Sequence, residues 1–66
     1  MISIIKEVKS EVNNETYRVR ELKVDSIPSS YILEKKVNGG YMLIQSSDSY
    51  ARTLSDLGRC LKQKLS

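Results

Sequence analysis

Tyr31-Ile32-Leu33-Glu34-Lys35-Lys36-Val37-Asn38-Gly39-Gly40-Tyr41-Met42-Leu43-Ile44-Gln45-Ser46 is the stretch that decides the fold. Two runs of strand-forming residues flank an Asn-Gly pair, the strongest short-range hairpin signal, because both central residues of a type I′ turn need positive φ. Counting outward from Asn38-Gly39 pairs Lys35 with Met42, Leu33 with Ile44 and Tyr31 with Ser46. Tyr31, Leu33, Val37, Met42 and Ile44 then share one face, which is the expected core.

Downstream, Ser46-Ser47-Asp48-Ser49 offers side-chain oxygens to the free amides of a helix start. Tyr50, Leu54, Leu57, Leu61 and Leu65 recur at spacings of three and four, one stripe of an amphipathic helix that needs the hairpin's apolar face for cover. Gly58 sits beside this stripe and costs about 1 kcal/mol of helix propensity, so a close approach of helix to sheet is expected there. Lys62 and Lys64 oppose the negative end of the helix dipole.

Upstream, Ile2 to Val12 and Thr16 to Val24 surround Asn13-Asn14, and asparagine tolerates the left-handed conformation of a tight turn. With those two residues as the turn, Val8 faces Val19 and Ile5 faces Leu22. Tyr17 and Val19 have one parity, Leu22 and Val24 the other, and a bulge near Arg20 or Glu21 is expected to reconcile them. A helix is the rival for Ile2 to Val12, since Ile4, Ile5, Val8 and Val12 also fit a 3.6-residue stripe; the isoleucine and valine content favours a strand. Asp25-Ser26-Ile27-Pro28-Ser29-Ser30 reads as the connection between the halves. The expected fold class is α+β: a small four-stranded antiparallel sheet of two hairpins with a C-terminal helix on one face, ββββα, forming one domain over 1–66.

The chain has 66 residues, 39% hydrophobic and 29% charged, far from disordered, collagenous or membrane compositions. A chain of about 60 residues buries only about 60% of its unfolded surface, so the core is thin and dimerisation is a natural remedy. No apolar run reaches the ~18 residues of a membrane span. The start meets charge at Lys6 and Glu7, too early for a signal peptide, and a cytoplasmic location is the expectation.

The chemistry the sequence can support is narrow. There is no histidine, hence neither the commonest general base nor the commonest metal ligand, and Cys60 is the only cysteine. Without an activating base, Cys60 reads as a packing residue. No phosphate-binding glycine loop follows a strand, because Asn38-Gly39-Gly40 belongs to the hairpin. The expectation is a protein that is not an enzyme, with no catalytic residue, cofactor or metal.

A binding role remains. The run Tyr41 to Ser46 has neither charge nor proline, and in a simple meander it would be an unprotected edge, open to another copy or a partner strand; a central place in the sheet is the alternative. Ile32, Tyr41, Leu43 and Gln45 are assigned to the outer face of this hairpin as partner-binding residues. The leading expectation is a small regulatory or inhibitory module acting through protein contacts, with a homodimer through strand 41–46 among its partners. The alternative is a single-stranded nucleic-acid-binding protein. The balance of 11 Lys and Arg against 8 Asp and Glu gives +3, and Arg18, Arg20, Lys35, Lys36 and Tyr17 would be its contacts.

Overall fold

A computed structural model describes residues 2–64. The chain forms β1 (Ile2–Lys9), β2 (Thr16–Val24), β3 (Ile27–Val37), β4 (Gly40–Ser47) and α1 (Tyr50–Lys62). The strands make one antiparallel sheet in the order β1-β2-β3-β4, and α1 packs on one face of it. The ββββα order is therefore as expected, and the segment after Met1 is a strand. β1 and β4 are the two edges, which excludes the central placement of β4.

Each hairpin departs from simple counting for a local reason. At the β3–β4 turn Gly39 takes φ 83° while Asn38 does not enter the positive region, so this is not the expected type I′ turn. One glycine with φ near +80° in the third position is the signature of type II. Lys35 still pairs with Met42, but beyond Glu34↔Leu43 the register shifts, so that Leu33 pairs with Gln45 and Tyr31 with Ser47. Ile44 is the extra residue of a bulge. In the first hairpin Val8 pairs with Tyr17, Lys6 with Val19 and Ile2 with Leu22, so the expected Val8–Val19 and Ile5–Leu22 pairs do not form. The bulge lies on the opposite strand from the one expected, at Ile5, and β2 runs regularly through Arg20 and Glu21. The β2–β3 connection narrows to Asp25-Ser26, with Ser26 at φ 68°, and β3 takes up Pro28 at a further register shift between Val24↔Ile27 and Leu22↔Ser30. A proline without an amide proton fits a strand at such an irregularity.

The core is small. Among the described residues, the buried hydrophobic side chains are Tyr17, Val19, Leu33 and Leu57, with Tyr31, Leu54, Cys60 and Leu61 packed against them. Ser49 caps α1 by accepting the amide hydrogen of Arg52 at 3.2 Å. Thr53, fully buried, donates its hydroxyl to the Ser49 carbonyl at 3.0 Å, so the apolar stripe admits one satisfied polar group. Tyr50 meets Tyr31 in a tilted ring contact, with centroids 5.2 Å apart and planes at 44°. Leu65, the last member of the expected stripe, lies outside the described residues. Gly58 is not a point of close approach: a Cβ built there meets nothing within 4 Å.

The β1–β2 connection does more than turn the chain. It spans residues 10–15, closed by Ser10 N–H to the Glu15 carbonyl at 2.8 Å, with Asn14 at φ 62°. Asn13 is buried, and its Nδ2 donates to the carbonyls of Cys60 (3.1 Å) and Gln63 (2.9 Å) and to Tyr17 Oη (3.2 Å). Ser10 Oγ donates to the Leu61 carbonyl at 2.6 Å. The last carbonyls of a helix have no intrahelical partner, so this loop is the C-cap of α1, supplied from the far end of the chain. Asn13→Ala is expected to lower stability by about 2 kcal/mol, because it strips several partly buried acceptors at once; a urea titration would measure it. A loss below a few tenths would mean that solvent replaces the cap.

Candidate interaction surface

The sheet has one covered face and one open face. On the covered face, Val8, Tyr17, Lys35 and Met42 form one row across the strands, and Lys6, Val19, Leu33 and Gln45 the next. Helix α1 begins over Tyr31 and ends at the 10–15 loop, so it crosses the sheet away from the lower half of β4. Met42 and Ile44 are left exposed there, beside a groove of about 420 Å³ that Gln45 and Cys60 also line. Gln45 Oε1 is buried in this region without a hydrogen-bond partner. Burial, reinforced by the Asp56 charge, pushes the Cys60 thiol above its ordinary value against the pull of Arg59 and Lys35. Such a thiol is a poor nucleophile, because the thiolate is the reactive form.

On the open face, Glu7, Arg18, Glu34 and Leu43 align in one row and Ile4, Arg20, Ile32 and Ser46 in the next. Glu34 is buried even though no helix covers it, because the two arginines lie over it. Arg18 Nε donates to Glu34 Oε1 at 2.7 Å, and Arg20 Nη2 donates to Oε2 at 3.0 Å. Arg20 Nε also comes within 2.7 Å of Oε1, without the alignment of a hydrogen bond. Burial pushes the Glu34 carboxyl up, but the hydrogen bonds and charges of Arg18 and Arg20 more than offset it and hold it below the ordinary glutamate value. The Arg18 guanidinium lies over the Tyr41 ring, 3.3 Å from its centroid, a cation–π contact that fixes both groups.

The residues singled out from sequence divide accordingly. Ile32, Tyr41 and Leu43 share the open face, with Leu43 61% exposed. Gln45 does not join them: the bulge at Ile44 turns it to the covered face opposite Leu33. Arg18, Arg20 and Lys36 are on the open face, whereas Tyr17 is buried in the core and Lys35 belongs to Tyr17's row, so these five are not brought together. Sequence reasoning missed Glu34 as the hub of the arginines. Its only signal was an acid among Lys35 and Lys36, and that signal becomes informative only once the β2–β3 register is known.

Among the described residues there is no cluster of three or more metal-ligating side chains and no helix long and apolar enough to cross a membrane. Comparison with protein-family models, curated proteins and solved structures gave no match.

Proposed function

We propose that this chain is a non-catalytic binding module, regulatory or inhibitory in role, that works through protein contacts at the β4 rim and the adjoining open face, using Ile32, Tyr41 and Leu43. The observation that carries this reading is an edge strand without a charged residue whose consecutive side chains Met42, Leu43 and Ile44 are all exposed. Free edges present unpaired amide and carbonyl groups, and proteins ordinarily blunt them with charge or proline. Strand addition supplies main-chain hydrogen bonds, and the flanking apolar side chains supply specificity.

The test uses a protein that co-purifies with the tagged chain. Amide exchange across Tyr41 to Ser46 is expected to slow in the complex, and Leu43→Lys to weaken it by about tenfold or more. Unchanged fast exchange along that strand, with a complex indifferent to Leu43→Lys, would remove the rim as the site.

Single-stranded nucleic acid is the second reading, favoured by the placement of Lys9, Arg18, Arg20 and Lys36 on one open face. It ranks lower because Arg18 and Arg20 share the Glu34 carboxylate and the Tyr41 ring is occupied by Arg18. Retardation of a labelled oligonucleotide at low ionic strength, lost steeply with salt, would raise it.

A further inference from the structure

From the groove between α1 and the lower half of β4 we infer that the chain binds a small monocarboxylate, one with an apolar body and a hydroxyl or N–H donor at its far end. The groove lies on the covered face, so this site is separate from the protein contact proposed for the open face and does not depend on it.

Size and floor come first. The groove has a volume of about 420 Å³, within the range of about 300 to 1,000 Å³ in which small ligands are ordinarily held. Met42 and Ile44 are 48% and 38% exposed and give it an apolar floor that α1 leaves uncovered. Ligand sites typically combine such a floor with a few convergent polar groups.

The ionisable groups set the sign of the ligand. Lys35 enters from the sheet and Arg59 from the helix. The Cys60 thiol, pushed up by burial and by Asp56, feels Arg59 and Lys35 in the opposite sense, which places both cations about one point of the groove. Asp56 is the one acid of the lining, and it spends a carboxylate oxygen on Arg59 at 3.2 Å. That guanidinium has five N–H groups, so the contact leaves others to offer. Two bases against one acid leave the lining net positive. Among the described residues Lys35 is in no ion pair, and the Glu15 and Lys36 that share a neighbouring cleft with it cancel each other. Tyr17, in the same row as Lys35, accepts from Asn13 Nδ2 and so keeps its own hydroxyl hydrogen to donate. Donors and positive charge therefore gather at one end.

The other end is an acceptor. Gln45 pairs with Leu33, one row of the sheet, or about 7 Å, from the Lys35 and Met42 pair. Its Oε1 is buried without a hydrogen-bond donor. An acceptor withdrawn from water without a partner is costly, and a ligand O–H or N–H placed there recovers that cost. The bulge at Ile44 is what turns Gln45 inward, so the one irregularity of β4 against β3 brings this amide to the groove. The two ends define the ligand: a carboxylate toward Lys35 and Arg59, a donor about one row away at Gln45, and an apolar body between them over Met42 and Ile44.

An amide-resolved NMR titration of the full chain with para-hydroxyphenylacetate, whose carboxylate and hydroxyl lie at opposite ends of one ring, tests the inference. Saturable shifts are expected at Met42, Ile44, the Gln45 side-chain amide, Arg59 and Cys60, and none along β1. Phenylacetate lacks the donor and para-hydroxyphenylacetamide lacks the charge, and each should bind about fivefold more weakly or worse. Tyramine, with the charge reversed, should not saturate. Gln45→Met should abolish the preference for the hydroxy acid over phenylacetate while keeping the preference for acid over amide, and Lys35→Met should do the reverse. The four probes on the wild type decide the matter even where a variant fails to fold. Shifts confined to the groove, with acid preferred to amide and amine and the hydroxyl contributing, establish the site. Equal binding of acid, amide and amine, a hydroxyl without effect, shifts scattered outside the groove, or no saturation at millimolar probe overturns it.

Discussion

Leu33→Ala is expected to lower the stability of the chain by about 4 kcal/mol, a large share of what a chain this small has. Leu33 is fully buried at the centre of the sheet, paired with Val19 on one side and Gln45 on the other and packed in the cluster that contains Leu57. Truncation removes the transfer energy of three carbons and leaves a cavity that a hydrogen-bonded sheet cannot close by collapse. A chain of this length has only about 3 to 10 kcal/mol in total, at about 0.05 to 0.15 kcal/mol per residue. A larger protein absorbs such a loss, whereas here the one small cluster between the sheet and α1 carries it. Leu43→Ala is the matched control, since Leu43 is 61% exposed on the open face and should cost less than about 0.5 kcal/mol in the monomer. Urea titration of the two variants separates the two. Equal losses would mean that the core does not lie between α1 and the covered face.

What could be read from sequence, and what could not, follows the range of each interaction. The turn at Asn38-Gly39, an N-cap within Ser46-Ser47-Asp48-Ser49 and the Leu54, Leu57, Leu61 stripe are settled by residues within a few positions of one another, and the structure has Gly39 in the turn, Ser49 as the cap and the three leucines in or against the core. The bulges at Ile5 and Ile44 were not legible, because one extra residue changes the partner of everything beyond it while leaving composition untouched. That is why Gln45 changed face while Leu43, on the near side of the bulge, did not. Asn13 looked like a turn residue, and the signal was real but incomplete: its amide reaches carbonyls 47 and 50 positions away. The parity change in β2 has a different origin from the one expected. Tyr17 and Val19 face the helix, whereas Leu22 is half-buried with the opposite parity and Val24 is exposed near the strand end; no bulge is needed when the second face of a sheet also carries apolar groups. The Arg18, Glu34 and Arg20 trio was hidden for a related reason. Its register depends on the tight Asp25-Ser26 turn, where serine takes φ 68° without the glycine or asparagine that would have announced it.

That trio carries the second large effect. Glu34→Gln keeps the shape of the side chain but leaves Arg18 and Arg20, with side chains only 18% and 25% exposed, facing each other without a counter-charge. Breaking a buried ion pair on one side costs about 3 to 5 kcal/mol, and the partial exposure of the arginines brings the expectation down to about 3 kcal/mol at neutral pH. Acid should reproduce the effect in the wild type. The Glu34 carboxyl titrates below its ordinary value in the folded chain and at that value when unfolded. Its contribution is therefore fully present above the unfolded value, declines as pH falls below it, and is gone once the lower folded value is passed. Glu34→Gln has no such group to protonate, so its stability curve should lie below the wild type at neutral pH, run flatter through the acid limb and meet the wild type at its foot. Denaturant titrations of both proteins from pH 7 downward make the comparison. Parallel curves that never converge would mean that packing, and not the charge on Glu34, holds the two arginines to the sheet. Convergence would identify one carboxylate as the group that lets a sheet with an uncovered face keep two guanidinium groups and a tyrosine ring in a fixed arrangement beside the β4 rim.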